Sequence, residues 1–187
     1  MTPFHDLVAS LVGELGSALE AVEESEVAAL RRAILQAQRI FVAGQGRSGL
    51  RMRAFAMRLM HLGLTVHVVG ESTAPGIGKG DLLVIGSGSG QTASLVGYAR
   101  RARNLQAQVG LITTAASSPI EDQAVCVVRI SAPTPKLGGS DMPLSIQPMG
   151  SLFEQSLGLL LDVVILLLMD ELGIDADQMF AHHANLE

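Results

Sequence analysis

Ile40-Phe41-Val42-Ala43-Gly44-Gln45-Gly46-Arg47-Ser48-Gly49 is the stretch on which the fold turns. Four apolar residues run into three closely spaced glycines, and Met52, Phe55, Ala56, Leu59 and Met60 then recur at helical spacing. A short, continuously apolar strand handed directly to an amphipathic helix is the unit from which parallel sheets are built. Strands buried on both faces lose the alternation of polar and apolar residues seen in one-sided sheets.

The same pattern extends in both directions. Upstream, Leu7, Val8, Leu11, Leu15, Ala18, Leu19 and Val22 predict a first amphipathic helix. Ser25, followed by Glu26, Val27, Leu30 and Ile34, reads as a cap opening a second. Downstream come strands at 66–69 and 82–85, then a helix marked by Leu95, Tyr98, Ala99, Ala102 and Leu105. A strand at 109–112, a helical turn near Ile120 and a strand at 125–130 complete the series. Five apolar strands alternating with helices predict an α/β domain, a three-layer, doubly wound parallel sheet covered on both faces. Residues 1–187 read as one domain. Its helices over 1–37 precede the sheet, and a proline-rich loop at 131–148 lies near the site. A long apolar helix from Ser151 to Leu172 and a short tail close the chain, and the helices over 1–37 and the segment 151–187 are expected to contribute oligomer contacts.

Composition narrows the possible functions. Of 187 residues, 48% are apolar, enough for a buried core and unlike a disordered chain. A net charge of −5 argues against charge-driven nucleic-acid binding. With no Trp and one Tyr, aromatic platforms for single strands are missing too. Cys126, the sole cysteine, excludes an internal disulfide and reads as a buried strand residue. The opening residues carry no basic segment leading into an apolar core, so no signal peptide is evident and the cytoplasm is the expected location. The apolar run 157–169 is short for a membrane span and contains Asp162, so a buried or subunit-interface helix is expected there.

Ligands of parallel sheets bind beyond the carboxyl ends of the strands. Two glycine-rich loops occupy that position, Gly44–Gly49 and Gly86-Ser87-Gly88-Ser89-Gly90-Gln91-Thr92. Each leaves a strand and opens a helix, whose free N–H groups and dipole favour an anion. Gly46, Arg47, Ser48, Ser87, Gly88, Ser89, Gly90, Gln91 and Thr92 are therefore candidate phosphate-binding residues. Ser48, Ser89 or Thr92 could instead cap the helices that follow, and Arg47 could be a solvated surface charge. The first loop also fits G-x-G-x-x-G, with Glu71 just past the second strand, as in a dinucleotide site. The second, hydroxyl-rich loop is not needed by such a site and favours a phosphate ester.

Glu154, at the opening of an otherwise apolar helix, is the candidate base. With Ser151 it also has the S-x-x-E spacing of a capping box. His182 and His183 lie in the tail, while His61 and His67 read as packing residues. No ligand spacing such as H-E-x-x-H suggests a metal.

Taken together these stretches resemble the sugar-isomerase (SIS) family, whose fold is flavodoxin-like. Within it, Arg53–Gly63, Val69-Gly70-Glu71, Ser145–Gln155 and Ala184-Asn185-Leu186-Glu187 are similar to the members that act on phosphorylated hexuloses. The resemblance implies that Ser48, Ser87, Ser89 and Thr92 grip the phosphate, that Glu154 is the catalytic base, and that His183 is a second active-site group, reaching a neighbouring subunit. It implies no metal or organic cofactor and an assembly of dimers or tetramers. The implied reaction moves the carbonyl of D-arabino-hex-3-ulose 6-phosphate from C3 to C2, giving fructose 6-phosphate. The implied functional partner is a hexulose-phosphate synthase of the ribulose monophosphate pathway, which fixes formaldehyde. Gln91 stands where relatives carry Glu, and His182 where an Arg precedes the tail histidine, so either histidine is a candidate for that role. The alternatives are an isomerase of the same fold for a pentose or heptose phosphate, and a non-catalytic sugar-phosphate sensor.

Overall fold

The computed structural model describes residues 2–134 and 145–186. Two helices, α1 (Phe4–Glu20) and α2 (Glu24–Gln36), precede the sheet. Then come β1 (Ile40–Gly44), α3 (Gly46–His61), β2 (Val66–Val68), β3 (Leu82–Gly86), α4 (Ala93–Asn104) and β4 (Gln108–Thr113). A 3-10 turn at Glu121–Gln123, β5 (Cys126–Arg129), α5 (Ser151–Leu172) and α6 (Ala176–Phe180) complete the order. All strand pairs are parallel, in the order β2-β1-β3-β4-β5. The expected three-layer α/β sheet is present.

Strand side chains alternate between two cores. Ile40, Val42, Leu82, Val84 and Ile112 face α2, α3 and α5, whereas Phe41, Ala43, Leu83, Ile85, Val109 and Leu111 face α4. This period of two is hidden in the sequence because both faces are covered. α5 is long and apolar enough to cross a membrane by length and composition, but half of it is buried in the protein. Leu152, Phe153, Leu157, Leu160, Leu161, Val164, Ile165 and Leu168 fill the first core. A fully buried Leu contributes about 1.5–3 kcal/mol, so this helix is a main support of the sheet.

Several local expectations are corrected. Ser25 lies inside α2, whose cap position is Glu23. Met60, Tyr98 and Leu105, placed on buried helical faces by their spacing, are exposed at the margins of α3 and α4. Ser151 and Glu154 do not form a capping box, because Gly150 occupies the cap position and no side chain caps α5. A capping box is found instead at α6, within the expected tail, where Asp175 and Gln178 exchange bonds of 2.8 Å. Cys126 is buried as expected, and desolvation pushes its thiol up to about 11.

β1 and α3 meet backbone to backbone. A Cβ on Gly49 would sit 2.7 Å from the Gly44 carbonyl oxygen, and one on Gly44 would sit 2.9 Å from the Gly49 Cα. Glycine is required here by proximity. Gly49→Ala is expected to lower the urea midpoint, corresponding to about 1–3 kcal/mol. Gly97→Ala, on an open stretch of α4, is expected to leave or raise it by about 0.5–1 kcal/mol. Equal midpoints for wild type and Gly49→Ala would contradict the contact.

Candidate active site

β1 and β3 are neighbours in register, from Ile40 opposite Leu82 to Gly44 opposite Gly86. The chain leaves β1 towards β2 on one side and reaches β3 on the other, so the crevice above their carboxyl ends is the sheet's switch point. The first turns of α3, α4 and α5 converge there around a cavity of about 510 Å³. Gly46, Arg47, Ser48, Ser87, Gly88, Ser89, Thr92 and Glu154 all line it. None of the three helices has a side-chain cap. Apart from the Ser151 N–H, which donates to the Pro148 carbonyl, their first-turn N–H groups face the crevice, and the helix dipoles favour an anion.

The capping alternatives for the hydroxyls fall away. Ser48 lies within the first turn of α3, past the cap position held by Gln45. Thr92 holds the cap position of α4, yet its hydroxyl makes no cap bond. Ser89 Oγ accepts only a 3.3 Å bond from the Gln91 N–H. Ser87 Oγ accepts from the Gly90 N–H at 3.2 Å, which leaves its own proton to donate. Ser87 and Ser89 are both buried.

The β3 loop is held by its neighbours. The Gly88 carbonyl accepts the Thr113 and Thr114 hydroxyls at 3.0 and 2.9 Å and the Thr114 N–H at 3.0 Å. Gly90 adopts φ +61°, and a Cβ there would lie 2.3 Å from Ser118 Oγ. Gly90 and Gln91 thus shape the loop without lining the cavity. The two loops are joined where Gln45 Nε2 donates to Ser94 Oγ at 3.3 Å.

Glu154 projects from the first turn of α5, and its carboxylate pairs with Arg47 Nε at 2.9 Å. Arg47 is therefore more than a solvated charge: it links a phosphate-loop position to the candidate base. A carboxylate facing hydroxyl and N–H donors across one cavity can move a proton on a bound phosphate ester. The sequence reading missed Gln45, Leu95, Thr134, Met149 and Phe153, which also line the cavity. Residues 135–144 of the proline-rich loop lie outside the described residues, while Thr134 and Pro148 at its ends are on the cavity wall.

His183 is not brought to this cavity. Its ring stacks on His61 at 5.5 Å and on Phe180 at 5.6 Å, at the carboxyl end of α3. Ser48 is at the other end of that helix, roughly 20 Å away at 1.5 Å per residue. His182 Nδ1 donates to the His61 carbonyl at 2.8 Å. His61 is more than a packing residue. It is buried, and its Nδ1 lies 3.2 Å from Arg58 Nη1. Arginine can only donate, so His61 Nδ1 accepts and the ring is neutral. Burial first, then the positive fields of Arg58, His183 and His182, lower its pKa below 6.5.

A histidine kept neutral by folding contributes stability that is complete above its unfolded pKa and is lost as pH falls through the folded one. The melting temperature is expected to drop on acidification from neutrality through and below the ordinary histidine range. His61→Gln is expected to flatten that slope; identical slopes in wild type and variant would refute it.

Comparison with known proteins gives a consistent picture. The SIS domain family model matches residues 33–157. The 3-hexulose-6-phosphate isomerase of Bacillus subtilis is 45% identical over 182 residues, covering 97% of this chain and 98% of that protein. The enzyme of the same description from Mycobacterium gastri is 44% identical over 174 residues, or 93% and 86% of the two chains. The crystal structure of a Methanococcus jannaschii protein, for which a 3-hexulose-6-phosphate isomerase function was inferred, superposes with a TM-score of 0.82. It is 30% identical, with 97% and 99% of the chains covered.

Proposed function

The chain belongs to the SIS domain family, and we propose that it isomerises D-arabino-hex-3-ulose 6-phosphate to fructose 6-phosphate. One observation carries this reading: Ser48, Ser87, Ser89 and Thr92 share a single cavity with Glu154. The hydroxyls and the free N–H groups of α3 and α4 bind the phosphate dianion and orient the sugar.

The substrate reaches the site acyclic. With O6 phosphorylated, a ketone at C3 has no hydroxyl placed to close a five-membered ring. Glu154 takes the C2 proton; the electron pair forms the C2–C3 double bond and the C3 carbonyl becomes an enediolate oxygen. Glu154 then returns its proton to C3, the C2 hydroxyl proton passes to the C3 oxygen, and the carbonyl stands at C2 with a hydroxyl at C3. No atoms are gained or lost. Hydroxyl or backbone donors to the enediolate oxygen contribute about 3 kcal/mol each. Arg47, paired with Glu154 in the free protein, is also within the phosphate-binding wall, so the incoming dianion competes for it and frees the carboxylate.

His183 acts, on this reading, in the site of a neighbouring subunit, since in its own chain it lies at the far end of α3 from Ser48. An assembly of two or four copies is supported by apolar side chains left exposed: Phe4, Val8 and Val12 on α1, and Leu159, Val163 and Leu166 on α5. The pathway reading pairs the protein with a hexulose-phosphate synthase that condenses formaldehyde with ribulose 5-phosphate, in the cytoplasm.

A coupled assay tests the proposal. Purified protein, ribulose 5-phosphate, formaldehyde and a hexulose-phosphate synthase are mixed, and fructose 6-phosphate is followed through glucose 6-phosphate and NADP reduction. Wild type is expected to produce NADPH, and Glu154→Gln to lose at least about a hundredfold in kcat while still binding sugar phosphate. A folded wild type that binds pentose or heptose phosphates but forms no fructose 6-phosphate would leave a sister isomerase or a sensor.

A further inference from the structure

α1 contributes a carboxylate to the framework of the site from outside it. Glu14 Oε1 accepts the Ile146 N–H at 2.7 Å. Its Oε2 accepts the Ser145 hydroxyl at 2.7 Å and the Gln147 side-chain amide at 3.0 Å. Ser145 Oγ in turn accepts the Gln147 N–H at 3.0 Å. One side chain thus holds three consecutive residues more than 130 positions away in sequence. The bonds outweigh the effect of desolvation, which acts to raise the Glu14 pKa, and hold the carboxyl below its ordinary range.

The clamped residues lead directly into the site. Pro148, Met149 and Gly150 follow them and form part of the cavity wall. The Pro148 carbonyl accepts the Ser151 N–H at 3.2 Å, and the Gly150 carbonyl accepts the Glu154 N–H at 3.0 Å. Between them Met149 adopts φ +58°, a conformation that costs a non-glycine residue of order 1–3 kcal/mol and persists only where its surroundings impose it. On one side of Met149 the constraint is α5 itself; on the other it is Glu14. Neither Glu14 nor residues 145–147 line the cavity.

We propose that Glu14 is a positioning residue for the isomerisation: it fixes the strap 145–150 and thereby the wall and first helical turn that aim Glu154. This rests on Glu154 being the base, so the experiment reads the two claims separately. Steady-state kinetics in the coupled assay are measured on the full chain for wild type, Glu154→Gln, Glu14→Ala, Glu14→Gln and Ser145→Ala. Amide hydrogen exchange of 145–154 is followed in the same samples.

Glu14→Ala is expected to lose roughly ten- to hundredfold in kcat, as misplacement of a reacting group does. KM should stay nearly unchanged, because the phosphate donors lie on other loops. Exchange at Ile146 and Gln147 should rise. Glu14→Gln, which keeps one oxygen for the Ile146 N–H, should recover part of the loss. Unchanged kcat in the folded variants, a loss appearing only in KM, or unchanged exchange would each overturn the proposal. If Glu14→Ala does not fold, the milder Glu14→Gln and Ser145→Ala carry the same readouts. A wild type without turnover would instead bring down the isomerase reading, and the exchange data would still decide whether the clamp exists.

Discussion

Parallel pairing of β1 with β3 brings Gly44 beside Gly86, and the arrangement of the site follows from that register. Two loops that are far apart in sequence end at the same height, each handing its chain to a helix that starts at the crevice. α5 adds a third helix start from the sheet face it shares with α3. Three uncapped N-termini facing one another would be an unfavourable concentration of positive potential if nothing negative entered. Glu154 and Arg47 neutralise each other in the free site, so the positive potential of the helix starts is left for an incoming anion.

Closeness also ties stability to function here. The Gly44–Gly49 contact seats α3, and a Cβ on Gly86 would strike Met52 and Leu157, which belong to the first core. A Cβ on Gly88 would meet the Phe153 ring, one residue before Glu154. The glycines are therefore fixed from beneath by core side chains of α3 and α5. α5 buries apolar surface along most of its length and presents the carboxylate at its first turn, so the packing of its body sets the aim of its end.

Much of this was legible in the sequence, because strands buried on both faces and strand-to-glycine-to-helix transitions are local signals. The bounds of α5, the two loops and Glu154 are of that kind. The failures are equally physical. The S-x-x-E spacing of Ser151 and Glu154 implies a box only if Ser151 stands at the cap; Gly150 takes that place, and the Glu154 carboxylate pairs with Arg47 instead. The spacing of Met60, Tyr98 and Leu105 indicated a helical face but not where that face runs out of partners. Glu14 gives no local sign at all, being one acidic residue on a helix whose partners lie at the other end of the chain. The place of His183 depends on which element its tail meets, and no spacing within the tail encodes that.

The burial of Cys126 has a chemical consequence. Only the thiolate attacks electrophiles, and with a pKa near 11 roughly one thiol in ten thousand is ionised at neutral pH. The chain's single sulfhydryl is thus both walled off by β4 and α2 and held in its unreactive form. Aldehydes and quinones meet no ready thiolate, and the thiol itself calls for no reductant during handling. A cysteine placed deliberately on the surface would then be the sole labelling position, with the native one silent.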